Sequence, residues 1–290
     1  MAIRDMSAQS KQHRRKFSFE FFPPRSPEAE EKLKAARQHL AGLKPDYFSV
    51  TFGAGGSTRD KTLETALSVR EGTGVDTAPH LSCISSSLED LKHVIANYKK
   101  KGFTHIVVLR GDIPSGSIDR GPLRFASELV ELVRAEAGDY FHIDVACYPE
   151  FHPQAASAKQ DLDNFKRKID AGADSAITQY FYNPYAYFRF LDSCEKLGIQ
   201  VPIVPGVMPI VNREQLVRFS RACGAEIPLW ILKRLEDFGD DLDSIQKFGI
   251  DVATELCSVL LEHGAPGLHI YTMNRHPASE AIWANLGLKG

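Results

Sequence analysis

Charged side chains stand at the ends of apolar runs in this sequence, and the clearest case is the stretch His105–Asp112. Four apolar residues lead directly into Arg110, Gly111 and Asp112. Side chains alternate along a strand, so Arg110 and Asp112 are expected to share one face. Ending an apolar strand on two charges costs desolvation free energy unless the charges line a pocket filled by solvent or ligand. A strand end that emerges into water explains a single case equally well, so the ends of the other apolar runs are needed to distinguish these two interpretations.

A second candidate is Glu20, which lies inside the aromatic run Phe17–Phe22. Alternation places the odd-numbered phenylalanines on one face, which we expect to pack against helices, and directs Glu20 to the other face. A carboxyl group with phenylalanine neighbours is poorly solvated, which favours its acid form and suits a general acid working near neutral pH. A structural ion pair with an Arg or Lys is the alternative interpretation.

Further segments carry groups that suit a flat, anionic ligand. Gln179 stands among tyrosine and phenylalanine rings, where an amide can hydrogen-bond a planar heterocycle while the rings stack on it. The glycine-rich loop 53–56 precedes a helix start and lets a ligand approach the backbone. Arg167 and Lys168 could bind phosphate, although a solvated basic helix face fits their spacing equally well. His80 has no metal-ligand partner at usable spacing and fits a hydrogen-bonded structural role.

Composition and cysteine spacing argue against several classes of protein. A net charge of −2 gives no electrostatic footprint for nucleic acid or an anionic membrane. No apolar run approaches the roughly 20 residues needed to cross a bilayer. The five cysteines form no C-x-x-C pair, which indicates reduced thiols in a cytoplasmic protein without a disulfide framework or a zinc site. Cys83 and Cys147 lie in apolar runs and are expected to be packing residues.

Eight strand-like runs alternate with amphipathic helical stretches, and no composition shift marks a linker between them. The runs are Phe17–Phe22, Tyr47–Phe52, Thr77–Cys83, His105–Gly111, His142–Tyr148, Ser175–Phe181, Ile203–Pro209 and Leu268–Asn274. This alternation predicts an α/β fold of the (β/α)8 TIM barrel type, as one domain over residues 17–290. A doubly wound open sheet is the competing architecture, but no G-x-G-x-x-G follows any of the runs. The basic residues 1–16 lack an apolar stretch and are expected to form a flexible leader.

Helix start and stop signals flank the intervening stretches. The pairs Ser26-Pro27 and Ser57-Thr58 are typical of helix starts, and glycines follow most of the stretches. The predicted helices are Pro27–Leu40, Thr58–Arg70, Leu88–Lys101, Leu123–Ala137, Ala156–Ala171, Tyr185–Leu197 and Arg213–Cys223. Two extra helices, Ile227–Asp237 and Leu242–His263, precede the last strand. In such barrels the active site lies at the carboxyl ends of the strands, which is where the charged and amide residues above stand.

Six motifs together closely resemble the bacterial methylenetetrahydrofolate reductases. They are Phe19-Glu20-Phe21-Phe22-Pro23-Pro24, Arg110-Gly111-Asp112, Tyr148-Pro149-Glu150, His152-Pro153, Ile177-Thr178-Gln179 and Tyr271-Thr272-Met273-Asn274-Arg275. The resemblance implies a flavoprotein barrel that binds FAD and reduces 5,10-methylenetetrahydrofolate to 5-methyltetrahydrofolate with NADH or NADPH. It also implies a homo-oligomer and a ping-pong reaction, in which the nicotinamide leaves before the folate takes the hydride.

The resemblance assigns roles to individual positions. Glu20 matches the general acid that protonates the bridging amine of the folate, and Asp112 matches a catalytic carboxylate that contacts the pterin and the flavin region. The positions that match FAD contacts are Phe52, Ala54, His80, Arg110, Gly111, Asp112, Ala126, Tyr148, His152, Asp161, Asn164, Arg167 and Lys168. The positions that match substrate contacts are Thr51, Gln179, Gln215, Phe219 and Arg275. The resemblance therefore favours Arg167 and Lys168 as ligands of the FAD diphosphate.

Two other functions are weighed against this one. A barrel flavoprotein that oxidises an amino acid, as proline dehydrogenase does, would share the design of the site. A non-catalytic barrel that binds a pterin or a folate is the second alternative. The combination of Glu20, Asp112 and Gln179 argues against it, because binding alone does not require a poorly solvated acid.

Overall fold

Nine parallel strands in the described part of the chain form a barrel with helices around it. The computed structural model describes residues 14–52, 59–112 and 121–288, with the backbone alone at residues 59 and 60. The strands are β1 (Lys16–Phe21), β2 (Tyr47–Val50), β3 (Thr77–Ser82), β4 (His105–Leu109), β5 (His142–Cys147), β6 (Ser175–Thr178), β7 (Ile203–Val204), β8 (Gly206–Val207) and β9 (Gly267–Tyr271). Their order is β7-β6-β5-β4-β3-β2-β1-β9-β8. Because Pro205 alone separates β7 from β8, this order brings the sheet round into a ring and confirms the predicted (β/α)8 barrel.

The predicted seventh strand, Ile203–Pro209, is divided into two short strands. β7 pairs with β6, whereas β8 pairs with β9. Pro205 between them has no N–H to donate to a neighbouring strand. Its carbonyl accepts a hydrogen bond from His269 N at 3.0 Å. The chain changes partner at this proline, so eight predicted strands correspond to nine observed ones.

Helices cover the outside of the barrel. Those within the described ranges are α1 (Pro27–Ala41), α2 (Arg59–Thr73), α3 (Leu88–Lys100), α4 (Ala126–Ala137), α5 (Ala158–Asp170), α6 (Pro184–Lys196), α7 (Arg213–Cys223), α8 (Leu229–Phe238), α9 (Leu242–Glu262) and α10 (Pro277–Asn285). The two extra helices predicted before the last strand are α8 and α9. The short helix α10 is absent from the predicted set, because its nine residues give too little periodicity to mark a helix. None of the helices in the described ranges is long and apolar enough to span a membrane.

Polar side chains set the starts of the helices. Ser26 Oγ accepts a hydrogen bond from Ala29 N at 3.2 Å, so α1 begins at Pro27 as predicted. The helix α4 begins later than its predicted start at Leu123. There the Glu128 carboxylate accepts hydrogen bonds from the two backbone N–H groups just before the helix, at 2.6 and 2.9 Å. These bonds satisfy the N–H groups in an extended segment and delay the first turn.

The main core lies between the outer faces of the strands and the helices. Phe19 and Phe21 are fully buried there. The ring of Trp283 on α10 lies 5.6 Å from that of Phe19, and Phe48 lies 5.1 Å from Phe21. Removing each such ring from water contributes about 1.5–3 kcal/mol. The aromatic face of β1 therefore packs outward as predicted, and Glu20 faces the barrel interior.

The amino ends of the strands enclose a polar cluster of Tyr47, His105, His142, Asp144 and Ser175, here called the floor cluster. All of these residues are buried except His142, which is partly exposed. The Asp144 carboxylate accepts hydrogen bonds from the Tyr47 hydroxyl at 3.0 Å and from His105 Nε2 at 2.8 Å. It also accepts one from the Ser175 hydroxyl, whose oxygen lies 2.8 Å from His142 Nε2. Burial acts to raise the pKa of Asp144, but the charges and hydrogen bonds of His105 and His142 hold it well below its usual range. The carboxylate is therefore ionised, with three donors bound to it.

The described end of the predicted leader contacts the barrel. Lys16 is the first residue of β1, and Arg15 Nη2 donates to Leu261 O at 2.6 Å. Arg14 Nη2 lies 3.3 Å from Asp46 Oδ1. Residues 1–13 lie outside the described ranges, so the flexible leader stays a prediction for them.

Candidate active site

Glu20 stands at the carboxyl end of β1, and the segment after β9 fixes its backbone. The Glu20 carbonyl accepts a hydrogen bond from Thr272 Oγ1 at 2.6 Å. The Asn274 side chain binds both backbone groups of Phe22, with Oδ1 accepting from N at 3.0 Å and Nδ2 donating to O at 2.9 Å. Asn274 has a left-handed backbone with φ 55°, which Asn tolerates better than most residues. These contacts hold the end of β1 in one position.

The Glu20 carboxylate points into the barrel, with 18% of its side chain exposed. Its Oε2 atom lies 3.4 Å from His269 Nε2 and 3.5 Å from His80 Nε2. Within the described residues no Arg or Lys forms an ion pair with it, so the structural alternative weighed for Glu20 is not observed there. The low exposure is due to two imidazoles rather than to the predicted phenylalanine neighbours, because those rings lie on the other face of β1.

His80 on β3 carries two unused hydrogen-bonding atoms beside Glu20. The residue is 4% exposed, and neither ring nitrogen has a hydrogen-bond partner among the described residues. The 3.5 Å contact to Glu20 lies at the limit of hydrogen-bond length and lacks the required geometry. Burial lowers the pKa of His80 from 6.5 to about 4, although the charge of Glu20 opposes the shift. A buried polar atom without a partner costs roughly 1–3 kcal/mol, so these nitrogens fit a ligand-binding role better than a structural one.

The two charges after β4 are positioned by a turn. The strand ends at Leu109, before both charges, so the predicted alternation does not place Arg110 and Asp112. Gly111 has φ +90°, and a Cβ atom on it would stand 2.1 Å from Ser82 Oγ, so glycine is required here. The carbonyl of Arg110 is held by the Ser82 hydroxyl at 2.8 Å. Asp112 follows this turn with its side chain exposed.

Five predicted FAD contacts form one electrostatic group at the ends of β4 and β5. The rings of Tyr148 and His152 meet edge to face at 4.7 Å, and Asp161 Oδ2 accepts from His152 N at 2.9 Å. Burial, and after it the charge of Arg110, lowers the pKa of His152. Burial, and after it the carboxylate of Asp112, raises the pKa of Tyr148. The structure therefore brings together residues that lie up to 51 positions apart in the sequence.

The cations predicted for the diphosphate lie on α5 in different surroundings. Lys168 Nζ donates to the carbonyl of Ala146 on β5, and burial of the amine lowers the pKa of Lys168. Arg167 is exposed, and its Nη1 lies 3.4 Å from Asn164 Oδ1. Lys168 thus contacts the barrel wall, while Arg167 is exposed and Asn164 is half-buried. Phosphate binding by these residues stays a prediction.

The remaining predicted residues lie on the segments that follow the strands. Gln215 and Phe219 are four residues apart on α7 and therefore share one face, half-buried. The other predicted cofactor and substrate contacts are Thr51 and Phe52 after β2, Ala126 at the start of α4, Gln179 after β6 and Arg275 after β9. Ala54 lies outside the described residues.

The rings beside Gln179 do not line the mouth. Tyr180, Phe181 and Tyr182 are 5%, 1% and 6% exposed. The Tyr180 hydroxyl lies 3.0 Å from Ser220 Oγ, and other contacts bury the two remaining rings in the core. The prediction that these rings stack on a heterocycle is therefore wrong, because all three are occupied by packing. Phe219 on α7 is half-buried and packs against the cluster that contains Tyr180 and Tyr182.

Sequence reasoning missed the interior partners of Glu20. Ser18 Oγ lies 2.7 Å from His269 Nδ1, and both residues are buried. Thr272 and Asn274 belong to a quoted motif, but no role was predicted for them. A signal was present, since Ser18 and Glu20 are polar residues at alternate positions of an aromatic strand and must face the same side.

Two groups of potential metal ligands occur among the described residues, and neither contains a predicted catalytic residue. They are His39, His276 and Glu280 on α1 and α10, and His105, His142 and Asp144 in the floor cluster. In each group the ligand atoms lie within 4.8 Å of one another. Members of both groups already hydrogen-bond each other, which accounts for their proximity.

Known proteins are similar to this chain over most of its length. The family model described as methylenetetrahydrofolate reductase matches residues 5–287. The 5,10-methylenetetrahydrofolate reductase of Escherichia coli (strain K12) is 42% identical over 272 residues, which cover 94% of this chain and 90% of that protein. Methylenetetrahydrofolate reductase (NADH) 1 of Arabidopsis thaliana is 38% identical over 285 residues, covering 94% of this chain and 48% of that protein.

A solved structure has the same architecture. It is an uncharacterized protein from Clostridium thermocellum that binds two copies of 5-methyl-5,6,7,8-tetrahydrofolic acid, with a TM-score of 0.67, 18% identity and 96% of both chains covered. At that identity the likeness supports the fold alone. The match to the family model and the identity to the bacterial enzymes go further, and they show that this chain is an enzyme that belongs to the methylenetetrahydrofolate reductase family.

Proposed function

We propose that this enzyme reduces 5,10-methylenetetrahydrofolate to 5-methyltetrahydrofolate with FAD and a reduced nicotinamide, and that Glu20 is the general acid. The folate substrate is the one for which the bacterial relatives are named. The observation that carries the proposal is the poorly exposed Glu20 carboxylate at the strand ends, within 3.5 Å of two imidazoles. A carboxyl group in these surroundings can hold a proton and deliver it to a substrate above it.

The residues at the mouth fit a flavin dinucleotide. His80 offers two buried nitrogens without partners, and the exposed guanidinium of Arg167 suits a diphosphate. Arg110 Nη2 donates to Gln154 Oε1 at 2.6 Å and Nε donates to the Gly111 carbonyl at 3.2 Å, and the remaining guanidinium N–H groups suit a ligand. FAD supplies, when bound, a carrier that takes hydride from the nicotinamide and gives it to the folate.

Glu20 supplies the proton that opens the imidazolidine ring of the folate. Its carboxylic acid protonates the bridging amine, the bond from that nitrogen to the methylene carbon breaks, and the bonding electrons stay on the nitrogen. The substrate becomes an iminium cation that accepts hydride at the methylene carbon. Thr272 and Asn274 hold the end of β1, so the proton is delivered from a fixed position.

Asp112 places a negative charge at the same mouth. Its carboxylate is exposed and close enough to Tyr148 to raise the pKa of that phenol, after the larger effect of burial. An iminium cation is stabilised by a fixed negative charge, so Asp112 favours the ring-opened substrate. Substrate contacts are assigned to Thr51, Gln179, Gln215, Phe219 and Arg275.

An anaerobic titration tests the proposed reaction. The protein, loaded with FAD, is mixed with NADH or NADPH while the flavin absorbance is followed, and methylenetetrahydrofolate is then added. We expect bleaching by a nicotinamide and recovery of the yellow colour with the folate. Bleaching by proline without a response to folate would support the amino-acid-oxidising alternative, and folate binding without any bleaching would support the non-catalytic one. A protein that does not take up FAD contradicts the flavoenzyme.

The same titration decides between the two nicotinamides. The Arabidopsis relative is named for NADH, which favours NADH as the faster donor.

We also infer a homo-oligomer, because Leu229 and Trp230 on α8 are 66% and 56% exposed and form an apolar surface that a second copy can cover. Sedimentation velocity at micromolar concentration tests this, and a monomer would contradict it.

A further inference from the structure

Two histidines and a glutamate meet where the helices α1 and α10 contact each other. His39 lies in the last turn of α1, and His276 and Glu280 stand four residues apart at the start of α10. The Glu280 carboxylate lies between the two imidazoles, with Oε1 3.0 Å from His39 Nδ1 and Oε2 2.7 Å from His276 Nδ1. The proposed reaction uses none of these three residues.

The three side chains offer the ligand set of a divalent transition-metal ion. One ligand atom from each residue lies within 4.8 Å of the other two. The ligands of a tetrahedral Zn²⁺ ion, at about 2.0–2.2 Å from the metal, lie about 3.3 Å from one another, so small shifts suffice for coordination. Imidazole nitrogens beside a carboxylate suit Zn²⁺ or Co²⁺, whereas Mg²⁺ and Ca²⁺ prefer oxygen ligands.

The hydrogen bonds of this cluster already direct the ligand atoms at one point. A carboxylate can only accept, so each imidazole donates from Nδ1–H to Glu280. A metal ion takes the place of these two shared protons, and each imidazole then carries its proton on Nε2 instead. The Glu280 charge offsets part of the charge of the ion, and the position of His39 in the last turn of α1 favours a cation there.

The imidazoles have to tilt apart before they can share a metal ion. Their rings are stacked, with centroids 3.9 Å apart and an interplanar angle of 12°. A metal ion lies in the plane of each imidazole that binds it, and two parallel rings cannot both meet that condition. The side chains of His39, His276 and Glu280 are 54%, 26% and 33% exposed. His39 can therefore rotate into solvent, and water can reach the fourth coordination position.

We propose that His39, His276 and Glu280 bind one Zn²⁺ ion, with water as the fourth ligand, and that this ion links α1 to α10. These helices follow β1 and β9, which pair with each other in the barrel. The ion joins the first and last βα units and stabilises the folded chain, because it binds the folded state and not the unfolded one.

Metal titration of the FAD-loaded holoenzyme, first freed of metal with a chelator, tests the site. We expect one equivalent of Co²⁺ to give the visible absorption of a four-coordinate site with nitrogen and oxygen ligands, and one equivalent of Zn²⁺ to abolish it. With Zn²⁺ at 100 times its Kd, the midpoint of thermal unfolding should rise by about 5 °C. If no site of one equivalent is found, the proposal is overturned and the cluster is a hydrogen-bonded contact alone.

The variant His39→Gln locates the site, with His93→Gln at an exposed position of α3 as the matched control. Loss of a direct ligand should weaken Zn²⁺ binding by more than the roughly 10–100-fold typical of an outer-sphere partner. The rise in unfolding temperature should disappear with it, while the control keeps both. Wild-type affinity in His39→Gln would overturn the proposal, because the ion would then bind elsewhere.

Glu280→Gln removes the carboxylate between the two imidazoles and replaces His39→Gln if that variant does not fold. It should show the same loss of affinity, and wild-type Zn²⁺ binding in this variant would equally contradict the site. These readouts need neither flavin reduction nor folate. The metal site therefore stands or fails separately from the proposed reaction.

Discussion

Polar groups lie at both ends of the barrel interior, but the two ends differ in whether the hydrogen bonds of these groups are complete. On the floor, the Asp144 carboxylate accepts three hydrogen bonds from buried donors. At the mouth, His80 keeps two buried ring nitrogens without partners among the described residues, and Glu150 keeps one buried carboxylate oxygen in the same condition. Asp112 at the mouth is exposed.

This difference separates structure from function within one barrel. Polar groups whose bonds are complete stabilise the fold and leave nothing for a ligand. Groups that remain unpaired cost stability, and they persist where a bound molecule completes them. In (β/α)8 enzymes the carboxyl ends of the strands carry the chemistry, which agrees with the mouth as the incomplete end.

The largest effect is expected from Asp144→Ala, which breaks the floor. The change leaves the donors of Tyr47, His105 and Ser175 buried without an acceptor. We expect the free energy of unfolding to fall by about 3–5 kcal/mol, measured by urea denaturation at neutral pH. The control is Asp163→Ala, which removes a surface carboxylate 2.7 Å from Lys159 Nζ and should cost about 0.5 kcal/mol or less. Equal losses would contradict the contrast between floor and mouth.

A pH titration of stability should separate the two ends. His80 binds its proton only near pH 4 in the folded state but at 6.5 when unfolded, so the unfolded state takes up more protons between these values. Stability should therefore fall by roughly 3 kcal/mol as the pH drops through this window. The stabilisation from Asp144, whose folded pKa is depressed, is present above 3.8 and is lost only below it.

The variant His80→Gln tests this assignment in protein freed of bound flavin. It should remove most of the slope of unfolding free energy between pH 6.5 and 4. His93→Gln, at an exposed position of α3, is the control and should keep the slope. If the slope is unchanged in His80→Gln, the buried His80 is not the group that lowers the unfolding free energy between these pH values.

A smaller effect is expected from Asn274→Ala at the rim of the mouth. It removes two hydrogen bonds to the backbone of Phe22 and should cost about 1–3 kcal/mol of unfolding free energy. Asn274→Gly loses the same bonds but suits the left-handed backbone, so it should be less destabilised. Asn285→Ala, whose side chain makes one 3.4 Å contact to Thr254 Oγ1, should be nearly neutral. Thermal denaturation of the three variants gives the order.

The elements of this fold follow from local signals, which is why most were predicted. The alternation in β1 is visible in the sequence, and Ser26 before Pro27 marks the start of α1. Errors arose where a distant or short-range contact overrides the pattern. Pro205 divides one predicted strand, and the Glu128 carboxylate delays α4.

The partners of the site could not be read in the same way. Ser18 and His269 are 251 residues apart, and they meet because β1 pairs with β9 in a particular register. Sequence predicts that each residue faces inward, but a shift of register would give each a different neighbour. The prediction that the rings beside Gln179 stack on a ligand was wrong for a related reason. The sequence does not show which face of that segment the helices cover.

The two half-reactions of Glu20→Gln, measured separately by stopped-flow absorbance of the flavin, test most directly whether Glu20 is the general acid. Reduction of the flavin by the nicotinamide should be essentially unchanged, because that step needs no acid at Glu20. Reoxidation by methylenetetrahydrofolate should slow by about 10²–10⁴-fold. The control is Glu31→Gln on α1, where 74% of the side chain is exposed, and it should leave both steps unaltered. Equal losses in the two half-reactions, or folate reduction at the wild-type rate, would contradict the role of Glu20 as the general acid.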